Sequence, residues 1–103
     1  MSHDEPKFIH DTRRIISVNA AGCALFRCEA MALVDLDMME LIADEDLRGL
    51  ARLRMKMLRE RGHVPGFRYP FRRCGGSVFW ASVTSRTLGD GTFETLVTYE
   101  YEE

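Results

Sequence analysis

The chain has 103 residues, 46% of them hydrophobic, and a formal net charge of -2. That length suits one domain around one small core, and that composition excludes a disordered polypeptide. The charge balance gives no general attraction to nucleic acid or anionic lipid, and no apolar run approaches the ~20 residues that span a bilayer.

The opening residues, Met1 to Pro6, carry acid and no apolar stretch, unlike a secretory leader. They read as a tail, in keeping with a remnant of expression, and the domain as residues 7–101. Lys7–His10 is a strand, residues 11–14 its turn, and Ile15–Val18 the next strand, with Pro6 placed before the ladder begins. Asn19 is an N-cap whose side chain accepts from the amide of Ala21 or Gly22, opening a helix over Ala20–Phe26. Residues 28–36 read as a second helical stretch and residues 38–42 as a single turn. Asp44 caps a long helix, with Glu45 and Asp46 at its positive end and Arg59 and Arg61 at its negative end. Gly62 is its natural C′ residue, and Pro65 prevents continuation.

Nine of the 14 basic residues fall between Arg48 and Arg73. They read as a solvated helix face and a strand edge, with an anion-binding strip as the minority reading. Cys23, Cys28 and Cys74 are odd in number and lack CxxC spacing, and His3, His10 and His63 do not cluster with them, so no zinc site is expected. All three read as reduced thiols of a cytoplasmic protein, Cys23 as a small core residue.

The last third alternates. Placing Asp90-Gly91 as a two-residue turn pairs Ser85 with Leu96, Val83 with Thr98 and Ala81 with Glu100. One face then carries Phe79, Ala81, Val83, Leu96 and Thr98; the other carries Trp80, Val97, Tyr99 and Tyr101. Both faces are apolar, so periodicity leaves open which is the core.

Strand Ile15 to Val18 followed by Asn19-Ala20-Ala21, an Asp-capped long helix, and then Phe67-Arg68-Tyr69-Pro70-Phe71, Cys74-Gly75-Gly76-Ser77, Val78-Phe79-Trp80-Ala81-Ser82-Val83 and residues 93–101 together resemble the PAS sensor family. The resemblance covers residues 8–101. It departs at Gly75, where an Asp is usual, and at the C-terminal end, where the usual Asp-x-Thr motif that couples to an output domain is missing.

The resemblance implies an α+β fold: a five-stranded antiparallel sheet in the order 2-1-5-4-3 with helices on one face. It places Phe79, Ala81 and Val83 inside with Phe67, Tyr69 and Phe71. It implies a sensing and docking module of a bacterial-type signalling protein rather than an enzyme, serving a histidine kinase, a cyclic-dinucleotide enzyme or a transcription regulator. The expected ligand pocket is Arg54, Met57, Phe71, Ala81, Val83, Leu96, Thr98 and Glu100. The outer patch of Trp80, Val97, Tyr99 and Tyr101 is the expected homodimer interface. No cofactor is expected: the reactive-Cys motif of the flavin branch is absent, and the long helix offers Met55 and Met57 but no His for haem.

Arg54 is the anomaly. At ~100° per residue, Leu47, Leu50, Ala51, Met57 and Leu58 form one apolar face with Arg54 near its middle. Either its stem snorkels to water, or it enters the cavity to meet a ligand carboxylate or Glu100. No catalytic constellation, phosphate-cradling loop or helical metal motif is present. The rivals are a homodimerisation module with a filled core and a small ketosteroid-isomerase-like enzyme using Glu100 or Tyr69.

Overall fold

The computed structural model describes residues 5–103; the tail reading of Met1 to Asp4 lies outside them. In chain order come β1 Lys7–His10, β2 Ile15–Val18, α1 Ala20–Phe26, α2 Ala30–Leu33, a 3₁₀ turn Met38–Leu41, α3 Glu45–Arg61, β3 His63–Arg72, β4 Val78–Thr87 and β5 Phe93–Glu102. The strands form one antiparallel sheet in the expected order, β2-β1-β5-β4-β3. The helices lie on one face, and Phe8, Phe26, Leu33, Ala51, Tyr69 and Phe79 join in the core between the layers.

Local chemistry explains most element ends. Asn19 Oδ1 accepts from Gly22 N at 2.8 Å and from Lys7 N at 3.0 Å, so one amide side chain starts α1 and ties it to β1. Asp44 Oδ1 accepts from Asp46 N at 2.9 Å, and Gly62 closes α3 at φ 84°. The second helical stretch is shorter than its sequence reading. Val34 leaves helical geometry and Asp35 has φ 69°. Their segment bonds to β2 instead: Asp35 N donates to Ile15 O at 2.8 Å and Ile15 N to Leu36 O at 3.0 Å. These ladder-like bonds outcompete a continued helix.

The β4–β5 register differs by one residue from the two-residue-turn expectation. The tip is Gly89-Asp90-Gly91, closed by Leu88 N donating to Thr92 O at 2.9 Å, with both glycines at positive φ. Asp90 Oδ1 also accepts from Thr92 N at 3.1 Å. Three-residue hairpin loops are the next commonest kind, and this one pairs Ser85 with Thr95, Val83 with Val97 and Ala81 with Tyr99. A one-residue slip exchanges faces. Val97 therefore faces the core and is buried, Leu96 and Thr98 face outward, and Tyr99 lies on the inner side with its ring 5.9 Å from Phe79. A bulge at Glu100 then restores the pairing of Trp80 with Tyr101.

The cysteine expectation is also corrected. Cys28 and Cys74 form a disulfide with Cα atoms 5.5 Å apart; Cys23 is free and half-buried against the core. The bond joins the end of α1 to the β3–β4 turn. Beside it Cys74 N donates to Phe26 O at 3.2 Å, which holds the two cysteine backbones within bridging reach.

Candidate functional site

A cavity of about 50 Å³ lies between α3, the 3₁₀ turn and the inner face of the sheet. Each wall follows from the period of its element. Ala51, Arg54 and Met55 come from one side of α3; Tyr69 and Phe71 alternate on β3; Val83 and Ser85 on β4; Thr95 and Val97 on β5. Phe26 closes one end, with its ring 5.2–5.6 Å from those of Phe8, Phe71 and Phe79. The lining is apolar except for three places.

The first is the floor, formed by the Ser85 and Thr95 hydroxyls, with His10 bonded to Thr95 outside the lining. His10 is fully buried, and its Nδ1 accepts from Thr12 N at 3.0 Å. That leaves the proton on Nε2, which meets Thr95 Oγ1 at 2.7 Å; Thr95 in turn reaches Ser85 Oγ at 2.7 Å. Burial pushes the imidazole down to about 4, against the weaker opposing effect of the Asp11 carboxylate. The second is Arg54, half-buried at the rim. It donates to Pro65 O, and its guanidinium sits 4.9 Å over the Phe67 ring. The third is Tyr69, whose hydroxyl is pushed up by burial while the Arg54 guanidinium pulls it down.

Of the expected pocket residues, Arg54, Phe71 and Val83 line the cavity, and Ala81 is fully buried in the core beside it. Met57, Leu96, Thr98 and Glu100 do not line it. Met57 packs instead on the small cluster of Leu58, Val64 and Phe93. Leu96 and Thr98 leave with the register change. Glu100, the bulge residue, points to the outer face, where Arg68 Nε lies 2.5 Å from its carboxylate. Of the alternatives for Arg54, the pairing with Glu100 is thus overturned: the two belong to opposite faces.

Sequence reasoning missed Val97, Ser85, Thr95 and His10. Val97 and Thr95 depended on the register, Ser85 continues the inner alternation of Ala81 and Val83, and His10 looked like an isolated histidine. It also missed the arginine that is buried. Arg73 is 6% exposed, donates to Leu25 O at 2.8 Å and grips Glu102 with two bonds of 2.6 and 2.9 Å, over the ring of Phe79 at 4.4 Å. Among the described residues, no three His, Cys, Asp or Glu side chains gather as a metal site requires.

Comparison with solved structures decides the fold. A LOV domain of a blue-light activated histidine kinase from Erythrobacter litoralis superposes with a TM-score of 0.79 at 19% identity, covering 97% of this chain and 99% of that one. A PAS domain of a LuxR-family transcriptional regulator from Burkholderia thailandensis, in complex with ethanol, gives 0.76 at 21% identity, covering 92% and 88%. A domain of a sensory box histidine kinase/response regulator from Geobacter sulfurreducens gives 0.79 at 16% identity, covering 91% and 82%. The chain has the PAS fold. No protein-family model and no curated protein matches the sequence. Within this PAS fold, the cavity lies between the long helix and the sheet, and among the described residues no helix is long and apolar enough to cross a membrane.

Proposed function

We propose that this PAS domain is a sensory module of a signalling protein, responding to a small molecule held in the cavity between α3 and the sheet. The carrying observation is that cavity: walled by apolar side chains, floored by the Ser85 and Thr95 hydroxyls and rimmed by Arg54. Its volume is far below the ~300 Å³ at which pockets for drug-sized ligands begin, so it suits a molecule of a few heavy atoms. The ethanol complex of the Burkholderia regulator supports a ligand of that scale. A bound ligand would bias the sheet between two arrangements and pass that bias to an output domain of a kinase or a transcription regulator.

The module works without flavin or haem in this reading. An isoalloxazine ring does not fit the cavity as its walls stand, no cysteine lines it, and α3 carries no histidine. The titratable groups that line it are Arg54 and Tyr69, and burial pushes the Tyr69 hydroxyl up. His10 and the two hydroxyls satisfy one another, so the role is binding rather than catalysis. We place the module in the cytoplasm of a bacterial-type cell. The competing reading, a dimerisation module with a filled core, is favoured by the aromatic cluster around Phe26.

Titration of the amide-proton NMR spectrum with ethanol and 1-propanol separates the two. A sensory cavity predicts saturable shifts at Met39, Met55, Val83 and Val97, and their loss in Ala51→Leu, which fills the space. Amides that stay unmoved in the native protein at saturating alcohol would leave the filled-core reading standing.

A further inference from the structure

A second depression, of about 420 Å³, opens on the helix side of the molecule between the β1–β2 turn, the 3₁₀ turn and α3. Four guanidinium groups line it: Arg13 and Arg14 from the turn, Arg52 and Arg59 from α3. One lining carboxylate, Asp37, stands against them, 3.6 Å from Arg52. Four cations facing one anion attract a further negative charge.

The turn that presents two of these arginines is held rigidly. Asp11 Oδ1 accepts from Arg13 N at 2.9 Å and from Arg14 N at 2.8 Å. Thr12, buried at φ 77°, is fixed by its amide on His10 Nδ1 and by Arg59, which donates to its hydroxyl at 2.8 Å. A left-handed threonine is a conformation that persists only where its surroundings enforce it. Arg14 is braced by Asp35 O at 2.6 Å. Two of the four guanidiniums, those of Arg14 and Arg59, are therefore pre-positioned, which lowers the ordering cost of binding.

The depression and the cavity share two residues: Met39 and Met55 line both. The partition is thus made of two unbranched thioether side chains, which repack with little cost. Behind it the lining is apolar, and in front of it is cationic.

We propose that cavity and depression form one site for an anionic amphiphile, a carboxylate or phosphate head on the arginines and a short alkyl tail passing between Met39 and Met55. This rests on the reading of the cavity as a ligand site and adds the head group and the route of entry.

The test is calorimetric titration of the intact chain with acetate, butyrate and hexanoate, with inorganic phosphate, butyl phosphate and hexyl phosphate, and with 1-butanol and 1-hexanol. At least one anionic series is expected to bind tenfold or more tighter than the alcohol of equal tail length. Affinity within it should rise about fourfold per added methylene until the cavity is full. Arg52→Gln/Arg59→Gln, both on the exposed face of α3, should reduce the anion to the alcohol's affinity and leave the alcohol unchanged. Arg13→Gln, on a separate element, provides the same readout should the helix variant fold poorly. Alcohols binding as tightly as anions would overturn the head-group assignment while leaving the cavity reading intact. Inorganic phosphate or acetate binding as tightly as the hexyl compounds would overturn the joined site. Binding of neither class would remove both readings.

Discussion

A buried histidine whose Nδ1 accepts from a backbone amide must stay neutral, because a second ring proton would leave both Thr12 N and the new N–H without an acceptor. His10 is in that position, and its folded-state value of about 4 lies below the ordinary 6.5. The unfolded chain then binds the extra proton first as pH falls. The stabilisation is complete above about 6.5 and drains away toward 4. Between pH 7.5 and 5 the loss attributable to His10 should be about 2 kcal/mol, read from urea unfolding curves. His10→Gln should flatten the curve between pH 6.5 and 5, a window above most carboxylate titrations. A native protein equally stable at pH 7 and pH 5 would contradict a neutral buried imidazole. The residue scale is also where sequence reasoning went furthest astray. Arg54 drew notice because a helical wheel reports which charges break an apolar stripe, and it does rim the cavity. Arg73 broke no stripe, since it lies one residue beyond β3. Its burial arises from Leu25 and Glu102, 48 and 29 residues away in the chain, and from Phe79 across the β3–β4 turn.

Elements whose signals are local were legible: the Asn19 and Asp44 caps, the Gly62 stop, the span of α1 and the existence of all five strands. What was not legible depended on competition between distant segments. Residues 34–36 continue the reading of a helix, but Asp35 and Leu36 find partners on β2, which no window of sequence displays. The hairpin failed for a finer reason. Asp90-Gly91 is a strong two-residue turn signal, yet Gly89 can also take positive φ and so admits a three-residue loop. That single choice moved Val97 and Thr95 onto the cavity wall, opposite Val83 and Ser85. The disulfide belongs to this scale too, because it joins α1 to the β3–β4 turn across a separation of 46 residues. In the chain-entropy account, closing such a loop stabilises the fold by about 4 kcal/mol. Purified without reductant, the chain should titrate one thiol, Cys23, under denaturing conditions. Reduction, or Cys74→Ser, should lower the unfolding free energy by up to that amount. Three titratable thiols in the untreated protein, with a melting temperature indifferent to reductant, would show that the pair does not close.

At the scale of the whole molecule, the face of the sheet away from the helices is the remaining question. The register change removed Val97 and Tyr99 from it and left Trp80 stacked on Tyr101 with ring centroids 6.2 Å apart, Tyr101 being 49% exposed. Leu96 joins that face, and the Arg68–Glu100 ion pair lies on it too. Two aromatic rings edged by charge resemble the centre and rim of a modest interface. A homodimer built there should be weak, its affinity carried chiefly by Trp80, since central tryptophans commonly contribute 2 kcal/mol or more. Sedimentation velocity should therefore show a coefficient rising with concentration through the micromolar range. Trp80→Glu, which places a charge where it would be desolvated, should weaken association by about 30-fold or more at that energy. The substitution sits at a half-exposed position, so its monomer should unfold at nearly the native temperature. A coefficient that stays monomeric up to millimolar concentration in the native chain would mean that this face serves another partner, and that any signal from the cavity leaves by a different route.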